Sequence, residues 1–201
     1  GNALVNDTIQ FQTADESPPL IDASGLASTN LYCFIEFSEG VYSSNSGTGG
    51  IELEDLQYAF ESNGGNCGSV SILELKNYTG ALLSGGESLI HAHVQLDGAP
   101  SGSETIIFAP ADGSSIFDQA GNPMHPSSVT ATMTFNASAQ ITNYSLPDSN
   151  EYLDVTFSNG IYGDPEQSEA INIDDVQVVL SSNGGNATNI TVFDLTTTTG
   201  I

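Results

Sequence analysis

Between Leu153 and Phe157 the chain alternates apolar with polar residues, Leu153, Val155 and Phe157 being separated by Asp154 and Thr156. A period of two is that of a β-strand with one buried face. The same spacing puts Cys33, Ile35 and Phe37 on one side of a strand over 32–37, and this odd-numbered face is predicted to point inward. Asn63-Gly64-Gly65-Asn66 predicts a turn able to adopt positive φ, and the stretch from Val70 to Leu75 after it reads as another strand. Residues 89–94 and 105–108 are further strand-like runs, whereas Ile51 to Asp55 fits either a short helical turn or part of a strand. Strand signals at short spacing with turns between them predict an all-β sandwich.

The chain also resembles itself. Displaced by 120 positions without a gap, it matches at 21 of 81 overlapping residues. Phe37-Ser38-Glu39-Gly40-Val41-Tyr42 falls on Phe157-Ser158-Asn159-Gly160-Ile161-Tyr162, and Ser62-Asn63-Gly64-Gly65-Asn66 falls on Ser182-Asn183-Gly184-Gly185-Asn186. A period of this kind is read as one structural unit per repeat. Residues 20–139 are then one complete sandwich, 1–19 the closing strand of a preceding unit, and 140–201 an incomplete second sandwich. A sandwich lacking its last strands exposes core and unpaired edges. The expectation is therefore that the natural polypeptide continues on both sides, or that a neighbouring molecule supplies strands.

Charge narrows the partners. With 25 acids against one base, Lys76, the formal charge is −24. Such a chain cannot build the clustered Lys and Arg that displace counterions from nucleic-acid phosphates, nor a patch for anionic membranes. No apolar stretch reaches the roughly 18 residues that would span a bilayer. Carboxylates with so few internal counter-charges are solvated, spread apart or neutralised by cations, of which Ca²⁺ prefers oxygen ligands.

The combination of Phe37-Ser38-Glu39-Gly40-Val41-Tyr42, Pro110-Ala111-Asp112-Gly113-Ser114-Ser115-Ile116 and Asp118-Gln119-Ala120-Gly121-Asn122 resembles the bacterial immunoglobulin-like tandem repeats of large surface and secreted, adhesin-like proteins. Asp15-Glu16-Ser17-Pro18-Pro19-Leu20-Ile21 looks like the proline-bearing junction that introduces such a repeat, and the second junction, 135–146, lacks the paired prolines. The resemblance implies tandem immunoglobulin-like Greek-key β-sandwiches strung end to end, serving as adhesin stalks, cell-surface arrays or accessory modules beside a catalytic domain.

Candidate chemistry is sparse. Cys33 and Cys67 occur only in the first copy, where Leu153 and Ala187 are their counterparts, and joint loss is what a bonded pair would show. A disulfide and an oxidising compartment are expected, with free thiols as the alternative. Sequons at Asn6, Asn77, Asn136, Asn143, Asn186 and Asn189 are candidate glycosylation sites, the alternative being unmodified surface asparagine. Calcium candidates are Glu39, Glu54, Asp55, Asp112, Asp118, Asp174 and Asp175, with Asp55 alternatively capping a short turn. No EF-hand pattern is present, so any Ca²⁺ site must be assembled from separate loops. His91 and His93 share a strand face but have no evident third ligand, which favours surface histidines.

No nucleophile elbow, zinc-protease helix or phosphate loop occurs, so no catalytic residue is assigned and no cofactor is required. The expected function is that of a non-catalytic structural or adhesive repeat of an extracellular or cell-surface protein. Its partners would be adjacent repeats or identical subunits, with cell-surface or glycan ligands. The alternatives are a subunit of a self-assembling extracellular filament completed by strand exchange, and a carbohydrate-binding module. Against the latter stands the absence of Trp, although seven Tyr could offer sugar platforms.

Overall fold

The structure, a computed structural model, describes residues 14–181 and 184–196. Seven strands form two antiparallel sheets: β1 (Ile21–Leu26), β2 (Tyr32–Val41), β3 (Leu56–Glu61), β4 (Val70–Asn77), β5 (Glu87–Leu96), β6 (Thr105–Pro110) and β7 (Met133–Thr134). One sheet has the order β1-β2-β5-β4 and the other β3-β6-β7. No α-helix occurs among the described residues.

The period-two reading of β2 holds: Cys33, Ile35 and Phe37 are buried. They meet Ile90, Ala92 and Val94 of β5 from the same sheet, and Ile106, Phe108 and Met133 of the other, in one core cluster. Removing a side chain of this size from water is worth about 1.5–3 kcal/mol, which is how two sheets with alternating faces come to enclose a common core. On the outer face the ring of Phe34 folds over β1 at Gly25, where an added Cβ would lie 2.5 Å from the ring. Glycine there makes room for an aromatic that covers the strand edge.

Turn chemistry decides the connections. Between β3 and β4, Asn63 (φ 49°) and Gly64 (φ 78°) are left-handed, and the Gly65 N–H donates to the Ser62 carbonyl at 2.7 Å. The ambiguous stretch before β3 is a 3-10 turn, Leu53–Asp55, because the Asp55 carboxylate accepts the Glu52 N–H at 2.8 Å and closes a turn rather than a ladder.

Downstream, β8 (Ile141–Ser145) pairs with β9 (Asp154–Phe157) and reproduces the β1–β2 ladder 120 residues earlier. Ile21↔Phe37 corresponds to Ile141↔Phe157, and the register shift after Ile21 returns after Ile141. The Ser38 pair of bonds to Leu20 (2.9 and 3.0 Å) recurs between Ser158 and Gln140 (2.8 and 3.0 Å). A second 3-10 turn, Ile173–Asp175, is closed by Asp175 accepting the Asn172 N–H at 2.9 Å. The difference lies in packing: no described residue beyond Phe135 is buried. Leu153 and Val155 are 54 % and 37 % exposed, where Cys33 and Ile35 are 0 %. Residues 1–13 lie outside the described residues, and 14–19, the remainder of the expected closing strand, form no strand.

Candidate functional site

Only one group of acids converges among the described residues. Asp15, on the segment leading into β1, Glu39, near the end of β2, and Asp118, in the β6–β7 connection, each bring a carboxylate oxygen within 4.8 Å of the others. Asp118 is fully buried and held from two sides, its Oδ1 accepting the Asn122 N–H at 2.8 Å and its Oδ2 the Asn122 side-chain amide at 2.7 Å. That amide also donates to the Asp15 carbonyl at 3.0 Å, tying the incoming segment to the loop. Burial pushes the Glu39 carboxyl above its ordinary value, and the charges of Asp118 and then Asp15 push it further. A proton on Glu39 or a cation among the three relieves that crowding, and carboxylate oxygens suit Ca²⁺. Two of the three, Glu39 and Asp118, are among the sequence-derived candidates. Asp15 was missed because no spacing rule links residues so far apart.

The remaining calcium candidates do not converge with these. Asp55 and Asp175 are occupied as turn caps, the alternative reading of Asp55. Burial raises the Asp55 pKa, a tendency opposed by its bond from Glu52 and reinforced by the charges of Glu52, Glu54 and Asp112. Asp112 accepts the Ser114 N–H at 2.6 Å within its own turn. Glu54 and Asp174 are exposed in the two 3-10 turns.

The most heavily bonded carboxylate is one that sequence reasoning did not single out. Glu104, just before β6, is fully buried and accepts backbone N–H groups from Asn66 (2.7 Å), Cys67 (3.1 Å), Ser101 (2.9 Å), Gly102 (3.2 Å) and Ser103 (3.2 Å). The Ser101 hydroxyl adds a bond of 3.2 Å. Burial by itself raises its pKa, but the accumulated backbone bonds outweigh it and bring the carboxyl to about 2. At Gly65 an added Cβ would overlap this carboxylate, so the glycine serves close approach.

The expected disulfide is not formed. Cys33 and Cys67 are both buried, free thiols. Cys33 sits opposite Ala92 in mid-strand, whereas the Cys67 sulfur lies 3.8 Å from a Cβ built at Gly98, beyond the end of β5. The strand from Ala92 to Leu96 alone covers roughly 13 Å at about 3.3 Å per residue, well over the Cα separation a disulfide spans. Burial pushes the Cys33 thiol up to about 12. With the bond goes the redox argument for an oxidising compartment.

His91 and His93 stand with Tyr32 on the outer face of the four-stranded sheet. Tyr32 stacks on His91 at 4.2 Å between ring centroids and tilts against His93 at 5.8 Å. Burial lowers the His91 pKa, and the His93 charge lowers it further. No third metal ligand joins them among the described residues.

Of the sequon asparagines, Asn6 lies outside the described residues. Asn143, Asn186 and Asn189 are exposed. Asn77 caps its own turn, accepting from Thr79 and Ala81. The Asn136 side-chain amide is committed to the Ala27 and Ser28 carbonyls and to Asn30 Oδ1, so a glycan there would break a structural contact. Asn136 borders a polar cleft of about 400 Å³ between the first sandwich and the β8–β9 unit. Asn159 donates to the Ala137 carbonyl at 3.0 Å and Gln167 to Ser28 at 3.3 Å across it.

No protein-family model matches this chain, and no curated protein or solved structure is significantly similar to it. No described helix is long and apolar enough to cross a membrane.

Proposed function

We propose that this chain is a non-catalytic structural repeat of an extracellular or cell-surface protein, built of tandem immunoglobulin-like sandwiches that act as a spacer or adhesive array. The reading rests on strand order. β1-β2-β5-β4 against β3-β6-β7 matches the A-B-E-D and C-F-G sheets of a constant-type immunoglobulin sandwich. The 120-residue recurrence of the β1–β2 register in β8–β9 supports the tandem part. Hydrogen bonds across the polar cleft between the units suit a spacer that keeps its repeats oriented. Antibodies against the first sandwich test the location: they should label intact cells that express the protein, and labelling only after lysis would defeat the reading.

Within this reading, Ca²⁺ is held by Asp15, Glu39 and Asp118, where the incoming segment meets the sandwich. A cation that binds only the folded state adds about 2.7 kcal/mol at a hundredfold excess over its Kd. Thermal unfolding in chelator and in millimolar Ca²⁺ at constant ionic strength measures it, and coincident curves would remove calcium from the proposal.

A second reading, the filament subunit completed by strand exchange, is favoured by the exposure of Leu153, Val155 and Phe193. Sedimentation over a range of protein concentrations separates the two, since only the filament assembles into long polymers.

A further inference from the structure

The turn that cradles Glu104 is present twice in the sequence, but its carboxylate only once. Ser62-Asn63-Gly64-Gly65-Asn66 supplies the Asn66 N–H to Glu104, with Cys67 next to it. Ser182-Asn183-Gly184-Gly185-Asn186 repeats the five residues, with Ala187 in the place of Cys67. Gly184 has φ 85° where Gly64 has 78°, so the second turn already holds the first one's handedness at this point. Glycine at 65 is required because the Glu104 carboxylate occupies the space of a Cβ. Gly185 keeps that absence of a side chain in a turn that is exposed at 184–187.

The neighbouring sheet edge tells the same story. In the first copy β5 covers the edge of β2, pairing Cys33 with Ala92 and Ile35 with Ile90, and Glu104 comes next, in the loop just before β6. In the second copy β9 pairs, among the described residues, with β8 alone, and Leu153 and Val155 are exposed.

We infer that β9 and the turn at 184–187 together form an acceptor for a two-stranded segment of the same repeat type, in the phase of residues 87–110, whose glutamate at the Glu104 position is captured by the Asn186 and Ala187 N–H groups. The inference rests on the tandem-repeat reading and adds what the second unit binds and through which atoms. The first strand of the donor pairs with the free edge of β9 and buries its apolar face. Its glutamate then fills the place that Gly185 leaves open, as a buried carboxylate satisfied by backbone donors.

Residue 201 is the repeat equivalent of 81, so a copy of residues 82–139 joined after Ile201 continues in phase. Amide hydrogen exchange compares this extended chain with the 201-residue chain. The expected result is new protection at the β9 amides facing away from β8 and at Asn186 and Ala187. E104Q in the joined copy should lower protection at 186 and 187 by about tenfold or more, as loss of charge-assisted bonds implies. Gly185→Ala should do the same in the extended chain and nothing in the 201-residue chain, where no carboxylate is displaced. Protection of β9 without protection at 186 and 187, or protection there indifferent to both substitutions, would overturn the carboxylate receptor while leaving the repeat reading in place. Absence of new protection at β9 as well would overturn the repeat reading with it.

Discussion

At 2.7 Å, Oε1 of Glu104 accepts the backbone N–H of Asn66, joining the loop before β6 to the turn after β3. The bond spans 38 residues and ties a fully buried carboxylate to a turn at the surface. Removing the carboxylate takes a charged acceptor from five backbone N–H groups, of which that of Cys67 is buried and the others partly so. A hydrogen bond to a charged group is worth about 1.5–3 kcal/mol where water does not replace it. Glu104→Ala should therefore destabilise the first sandwich by about 4 kcal/mol, and Glu104→Gln, which keeps one acceptor oxygen, by about 2–3 kcal/mol. Urea unfolding followed by Tyr fluorescence checks this. A loss below about 1 kcal/mol for the alanine variant would mean that water replaces the carboxylate.

The same residue sets an acid limit. Its folded pKa of about 2 lies below the ordinary 4.5, so its contribution is complete above about 4.5 and disappears as pH falls toward 2. His91 adds an earlier loss of the same sign. Held below its ordinary 6.5, it favours the fold above that value and opposes it as pH falls and the ring must charge. Stability measured from pH 7 to 2 should fall in two stages, and Glu104→Gln should shrink the lower one, to which the hydrogen-bonded Glu87 and Asp97, also held below their ordinary values, contribute the remainder.

Glu39 carries the opposite sign. Its folded pKa is raised above 4.5, so raising the pH through that interval costs stability as the third carboxylate of the group ionises. Glu39→Gln should raise the melting temperature in chelator at neutral pH and abolish the response to Ca²⁺. A variant that melts lower in chelator, or still responds fully to Ca²⁺, would remove Glu39 from the site.

Thiol chemistry offers a direct check on the cysteines. Both side chains are buried, and burial holds the Cys33 thiol near 12, so neither presents a reactive thiolate in the folded protein. Alkylation at pH 8 without reductant should leave the folded chain unmodified and label both cysteines once it is unfolded in denaturant. Intact mass reads the difference. An unfolded, unreduced chain that takes no label would restore the bond between them.

The inward face of β2, the left-handed Asn63-Gly64 turn and the 120-residue period were legible in the sequence, because each depends on side-chain alternation, local backbone sterics or direct self-comparison. The 3-10 turn at Leu53–Asp55 was half legible: its capping aspartate was visible, but periodicity over so few residues fitted a strand as well. Separation in the chain hid the rest. Glu104 looks like any surface acid until the turn at Asn66 and the loop at Ser101 close around it, and Asp15 joins Glu39 and Asp118 only when the incoming segment lies along the sandwich. The cysteines misled for the same reason, since joint loss in the second copy carries no distance, and only the register of β2 on β5 puts them at different heights. Local sterics and hydrophobic period are written residue by residue, whereas the partner of a buried charge or thiol is chosen by strands that meet across tens of residues, and that choice belongs to the tertiary structure.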